Sequence, residues 1–144
     1  MKKEYFTNSE TETIKLGEFF FELAKKRNVK LIFLKGNYGS GKTFFTKGFA
    51  KALSINEKIK SPSFNKKFVY KNFVHYDLYN LKRFEIEDYK NQILEDIEFN
   101  FVIVEWSENI LIKKYKKYFY KYFLINLEVI NDNERKFILK YINK

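Results

Sequence analysis

Gly36-Asn37-Tyr38-Gly39-Ser40-Gly41-Lys42-Thr43 fits the pattern G-x-x-x-x-G-K-[S/T] at every fixed position. Glycines let such a loop wrap closely and turn successive backbone N–H groups inward, which makes a nest for anions. A helix that opens at the end of the loop adds the positive end of its dipole. The chemistry implied is the capture of a nucleoside triphosphate by its phosphates. Lys42 would reach the β- and γ-oxygens, and the Thr43 hydroxyl would ligate Mg2+.

A loop of this kind needs a carboxylate at the end of a neighbouring strand to hold the metal. Phe101-Val102-Ile103-Val104 ends in Glu105, which has that form and would act directly or through a water. His75-Tyr76-Asp77-Leu78-Tyr79 supplies a second candidate: Asp77 follows a strand and would position or activate an attacking water, or join the metal shell. His75 itself reads as a packed structural residue, not a base. Ser61-Pro62-Ser63 carries the only proline and lies between the loop's helix and the next strand. That is the usual place for a segment that senses a γ-phosphate, the alternative being an ordinary turn. Trp106, the only tryptophan, reads first as a core anchor. Lys113–Lys121 (KKYKKYFYK) interleaves lysines with aromatics; it reads as a solvated helix end running into a strand, with base stacking as the alternative.

The elements that must position these residues follow from periodicity. Residues 9–27 predict a helix: Ser9 with Glu12 makes a capping box, Ile14, Gly17, Phe20, Phe21 and Ala24 share one face, and Lys25, Lys26 and Arg27 suit its C-terminal end. Leu31–Leu34 is a wholly apolar run that stops at glycines, and a second helix is expected over about 42–53. Apolar strand, Gly-rich turn and helix in that order open a parallel α/β sheet. Residues 66–77 predict a hairpin turning near Lys71-Asn72, and residues 84–97 a short helix. Phe101–Val104 predicts a second buried strand, and Ser107 is expected to cap a short helix through Lys113. Phe123, Ile125, Leu127 and Val129 alternate, Asn131-Asp132-Asn133 is a turn, and Phe137, Leu139 and Tyr141 alternate again, so a C-terminal β-hairpin should close the sheet.

The chain's 144 residues imply one domain over 1–144, with no internal repeat, linker or low-complexity tract. There is no cysteine and one histidine, which excludes a disulfide scaffold, a thiol enzyme and Cys-based metal sites. No apolar run reaches the roughly 18–20 residues of a membrane helix, and no apolar stretch follows the opening lysines as a secretory signal would require. A cytoplasmic location without membrane contact is expected. The net charge of +10 invites a nucleic-acid reading. Yet 25 of the 28 basic residues are lysine in a chain rich in Asn, Ile, Phe and Tyr, so A/T-rich codon usage is a competing source of the charge.

GNYGSGKT, SPS, HYDLY and VEWSE, in that order over residues 9 to about 140, resemble the TsaE (YjeE) family, small P-loop ATPase subunits of the bacterial machinery for tRNA threonylcarbamoyladenosine. The resemblance implies a P-loop NTPase-like α/β domain with a central mixed sheet flanked by helices. It implies ATP and Mg2+ as cofactors, with nucleotide contacts along Gly36, Asn37, Tyr38, Gly39, Ser40, Gly41, Lys42, Thr43 and Phe44. Thr43 and Glu105 match the family's magnesium residues, and Asp77 the aspartate implicated in hydrolysis, with Lys42 and Glu105 beside it in catalysis. Ser61 and Ser63 match its switch-like SPT, Trp106 its EW pair, Thr13 a threonine near the adenine and Arg135 a basic position near the nucleotide. Leu16-Gly17 and Lys47-Gly48 fall where the family carries similar pairs. Asn80 departs from the pattern by standing where the family carries Arg, with Lys82 or Arg83 as the candidate substitute. The implied partners are the TsaD and TsaB proteins, with tRNA reached through that complex, and the implied ATPase is weak alone.

Two other functions share the loop. A small-molecule or nucleoside kinase would need arginines to clamp the transferring phosphoryl and a lid to exclude water. This chain has only Arg27, Arg83 and Arg135, and no evident lid. A non-hydrolysing switch module would not need Lys42, Thr43, Asp77 and Glu105 together.

Overall fold

A computed structural model describes residues 2–37, 39–59, 66–78, 81–106, 113 and 116–144. In chain order its elements are β1 (Lys2–Thr7), α1 (Glu10–Arg27), β2 (Leu31–Gly36), α2 (Lys42–Ala52), β3 (Lys67–Tyr70), β4 (Phe73–Asp77), α3 (Arg83–Asp96), β5 (Phe101–Trp106), β6 (Lys121–Val129) and β7 (Arg135–Asn143), with a 3₁₀ turn at Lys116–Tyr118. Among the described residues the seven strands form one mixed sheet in the order β1-β7-β6-β2-β5-β4-β3. The central four, β6, β2, β5 and β4, run parallel, while the β3–β4 and β6–β7 hairpins and the β1–β7 pair are antiparallel.

Helix α1 begins where predicted. Ser9 Oγ accepts from the Glu12 N–H at 3.1 Å, and the Glu12 carboxylate accepts from the Asn8 N–H at 3.0 Å. Asn28, left-handed at φ 54°, ends it. Its buried face is Thr13, Gly17, Phe20, Phe21 and Ala24, so Thr13 takes the place expected for Ile14. The face packs with Phe45 and Phe49 of α2 against Ile32, Leu34, Ile103, Phe123 and Ile125 on one side of the sheet. The other side buries Phe33, Val74, Tyr76, Val102 and Val104 under Ile86 and Ile93 of α3. Two helices on one face and one on the other cover the parallel strands, whose near-continuous apolar runs require both faces to be dry.

The predicted hairpins are present, the first turning through Asn72 at φ 63°. The C-terminal hairpin does not close the sheet, because β1 adds outside it, pairing Lys2–Thr7 with Lys140–Arg135. Strand β1 carries little inward apolar surface and lysines on its outer positions, which suits an edge and hides it from a periodicity reading. The short helix expected after Ser107 falls outside the described residues, apart from a helical Lys113.

Candidate nucleotide-binding site

Strand β2 ends at Gly36 and α2 starts at Lys42, so the loop lies at the carboxyl end of a central parallel strand. Gly36 is forced by space: a Cβ there would lie 2.6 Å from Ser40 Oγ and 3.1 Å from Leu127 Cβ. Gly39 and Gly41 have φ of 78° and 107°, which L side chains rarely adopt. The Lys42 ammonium folds back and donates to the Gly36 carbonyl at 2.6 Å. Thr43 and Phe44 follow in the first turn of α2, half-buried, and Asn37 is exposed. Ser40 is buried, and its hydroxyl makes no hydrogen bond among the described residues. A phosphate oxygen would satisfy that donor.

Two outer elements hold the loop. Arg135, at the start of β7, donates from Nε to the Ser40 carbonyl at 2.9 Å and from Nη1 to Asn131 O at 2.6 Å. Thr13 is buried in α1, shares a 2.8 Å hydroxyl hydrogen bond with Thr7, and sets its methyl 4.0 Å from where a Gly41 Cβ would be. Both residues that the family resemblance assigned to the nucleotide region therefore sit at the loop.

The carboxylates meet through register. Glu105 of β5 stands opposite Leu34 of β2 on one side and Asp77 of β4 on the other. Paired residues of neighbouring strands share a face, so Asp77 and Glu105 point to the side that carries α2. Glu105 is 3% exposed. Its Oε1 accepts from the Thr46 hydroxyl at 2.9 Å and lies 3.2 Å from His75 Nε2. Burial pushes the Glu105 carboxyl up, but His75, Lys42 and the Thr46 hydrogen bond outweigh it and hold the group below the usual carboxylate range. Among the described residues no three His, Cys, Asp or Glu side chains cluster as a metal site. One ionised carboxylate beside the Thr43 turn instead fits a cation whose other ligands are phosphate and water oxygens.

Thr46 was not singled out in the sequence. Its signal was its spacing: three residues after Thr43, on the same helix face, it is a polar side chain in the buried stripe of α2. His75 is packed as expected, but against Glu105. Tyr38, Ser61, Ser63 and Asn80 lie outside the described residues, as does the Trp106 side chain. Lys82 and Arg83 are exposed at the start of α3.

The family model for threonylcarbamoyl adenosine biosynthesis protein TsaE matches residues 7–137. The chain belongs to the TsaE family. The tRNA threonylcarbamoyladenosine biosynthesis protein TsaE of Rickettsia felis is 38% identical over 139 residues, covering 89% of this chain and 74% of that protein. The protein of the same name from Aquifex aeolicus is 33% identical over 140 residues, covering 93% and 92%. That from Rickettsia typhi is 34% identical over 147 residues, covering 94% and 93%. In fold, the chain is similar to the crystal structure of Bacillus subtilis YdiB, with a TM-score of 0.69 at 21% identity over 99% of this chain and 87% of that one. The stretch matched by the TsaE model includes the loop, Asp77, Glu105 and Arg135.

Proposed function

We propose that this TsaE-family chain is the ATP-binding and hydrolysing subunit for threonylcarbamoyladenosine modification of tRNA, and that it acts on a TsaD–TsaB complex within a single domain over 1–144. The observation that carries the reading is the pairing of Asp77 with Glu105 on adjacent strands beside the loop strand, with Glu105 tied to the loop's own helix through Thr46.

In this mechanism the loop N–H groups and Lys42 take the phosphates. Lys42 exchanges its bond to the Gly36 carbonyl for phosphate oxygens and stabilises the charge that moves onto them. Thr43 and Glu105 would hold Mg2+, which would supply positive charge to the phosphates. Asp77, at the mouth of β4, orients the attacking water and accepts its proton. Ser61 and Ser63 sense the γ-phosphate, Trp106 and Phe44 border the nucleotide, and Thr13 and Arg135 fix the loop from behind. Relatives named for this biosynthesis support the tRNA role. The resemblance supports the partners, a cytoplasmic site of action and a turnover that rises in the complex. No helix among the described residues is long and apolar enough to cross a membrane.

The test is ATP hydrolysis by the purified chain, alone and with TsaB and TsaD from the same organism. Slow turnover that rises in the complex and disappears in Asp77→Ala, with nucleotide binding retained, is the expected result. Loss of ATP binding in Asp77→Ala would remove the water-positioning role. Absence of both stimulation and association would remove the partner assignment, and phosphate transfer to a small-molecule acceptor would make the chain a kinase.

A further inference from the structure

The amino ends of the parallel strands, at the pole opposite the phosphate loop, gather side chains that the ATPase reading does not use. Strands β5, β2 and β6 are consecutive neighbours, in the order β5-β2-β6. Phe99 lies just before β5, Lys30 just before β2 and Tyr120 just before β6. Phe99 is 79% and Tyr120 68% exposed, far more than large aromatics normally are in a well-packed α/β domain. With neighbouring strands about 4.8 Å apart, the two outer strand starts are roughly 10 Å apart, with the lysine between them. Lys30 lies 4.3 Å above the Phe101 ring, so the cation is anchored at this edge.

The pole is also basic and firmly built. Phe119 is buried against Phe33 at 5.4 Å, which pins the segment from which Tyr120 projects. The C-terminal Lys144 donates its backbone N–H to Tyr120 O at 2.8 Å, and its ammonium donates to Lys116 O. Lys116 and Lys117 are exposed, Lys121 opens β6, and Arg27 at the end of α1 lies over Tyr141 at 5.2 Å. Lys30, Lys116, Lys117, Lys121 and Lys144 make no ion pair among the described residues. The acids nearest in sequence to Phe99 are Asp96, spent on Lys67 and Tyr76, and the exposed Glu98. Codon usage can raise the number of lysines and aromatics, and Phe84 is 78% exposed beside Lys82 elsewhere, but only at this pole among the described residues do two uncovered rings stand at the starts of strands that flank a lysine-led one.

We infer that this pole is a contact surface for single-stranded RNA, with Phe99 and Tyr120 as stacking platforms for unpaired bases and the surrounding lysines on the phosphates. Exposed rings favour RNA over an acidic protein surface, since an unpaired base offers a π-face to each ring while carboxylates answer only the lysines. The surface lies at the opposite end of the parallel strands from the phosphate loop, so RNA contact and ATP binding are separable. The inference does not depend on the identity of the partner proteins.

Fluorescence anisotropy with a labelled stem–loop RNA, and with a fully paired duplex of matching length, tests it in the full chain. Tyr120→Ala and Phe99→Ala are each expected to weaken the stem–loop by roughly five- to a hundredfold and to leave the duplex nearly unchanged. Lys116→Glu with Lys117→Glu should weaken both RNAs and flatten the dependence of affinity on salt. ATP affinity should be unchanged throughout, which separates failure here from failure of the ATPase reading. Stem–loop affinity that is absent, or indifferent to both aromatic substitutions, overturns the inference. So does a result in which the same substitutions abolish association with TsaB and TsaD while RNA binding stays intact, since the pole would then be a protein interface.

Discussion

Glu105 is a carboxylate where burial alone would favour the neutral acid, and three neighbours reverse that preference. The magnesium-ligand role proposed for Glu105 requires a carboxylate that is ionised and aimed, and Thr46 does part of both by donating at 2.9 Å to Oε1. Thr46→Val keeps the shape and removes the hydroxyl. A hydrogen bond to a charged group contributes about 1.5–3 kcal/mol, so Mg2+-dependent ATP affinity should fall by roughly tenfold or more. Affinity measured in a chelator should change little, and titration with a fluorescent ATP analogue with and without Mg2+ reads the difference. Equal losses under both conditions would mean that Thr46 supports the loop and not the carboxylate. Lys42→Ala should behave in the opposite way. It removes a charge-assisted phosphate contact, so triphosphate affinity should fall on the order of tenfold to a hundredfold whether or not metal is present. Isothermal titration with ATP and with adenosine checks this, since adenosine binding should be spared.

At the scale of elements, the loop is placed by the crossing of α1 over α2, and two glycines set its depth. A Cβ at Gly17 would lie 2.1 Å from Phe45 O, and one at Gly48 would lie 1.8 Å from Ile14 O. In an exposed helix Gly→Ala stabilises by about 1 kcal/mol. Here both contacts are to backbone, so the helices must separate, and overpacking costs of about 1–3 kcal/mol or more win. Gly48→Ala should therefore lower the urea midpoint and weaken ATP binding together, because α2 carries Lys42 and Thr43. A stabilised Gly48→Ala variant would refute the close crossing. Much of this layout was legible in the sequence. The phosphate loop, both hairpins, the three helices and the two buried strands are written in short-range patterns: Gly-Lys-Thr spacing, alternation, and apolar runs that stop at glycine. What was not legible depends on pairing between distant segments. The edge strand β1 shows only when β7 is there to receive it. The contact of Thr46 and His75 with one carboxylate exists only after β4 and β5 align Asp77 with Glu105 and α2 crosses above them.

Across the whole molecule the parallel strands separate two dissimilar ends, with the phosphate loop and carboxylates at one and Phe99, Tyr120 and their neighbouring lysines at the other. The middle of the sheet is rich in tyrosine and phenylalanine, and that gives the fold a characteristic response to alkali. Tyr76 has no exposed surface, and its hydroxyl donates to Asp96, which also pairs with Lys67 at 3.1 Å. Burial, then the hydrogen bond to Asp96 and its negative charge, push the Tyr76 phenol far above its ordinary range; burial alone raises Tyr5 and Tyr122. An unfolded tyrosine loses its proton near pH 10. Above that pH the unfolded chain therefore binds fewer protons at Tyr76 than the folded chain does, and stability must fall as pH rises. The contribution is fully present below about pH 10, and Tyr76 alone should remove up to about 1.4 kcal/mol per pH unit above it. Tyr76→Phe should be less stable than the wild type at pH 8, by about 1–2 kcal/mol for the lost hydrogen bond. It should then lose stability more slowly between pH 10 and 11, so that the two proteins converge. Urea unfolding at pH 8, 10 and 11 measures both slopes. Parallel slopes would mean that the Tyr76 phenol ionises as easily in the fold as out of it, and that the Asp96 contact does not hold its proton.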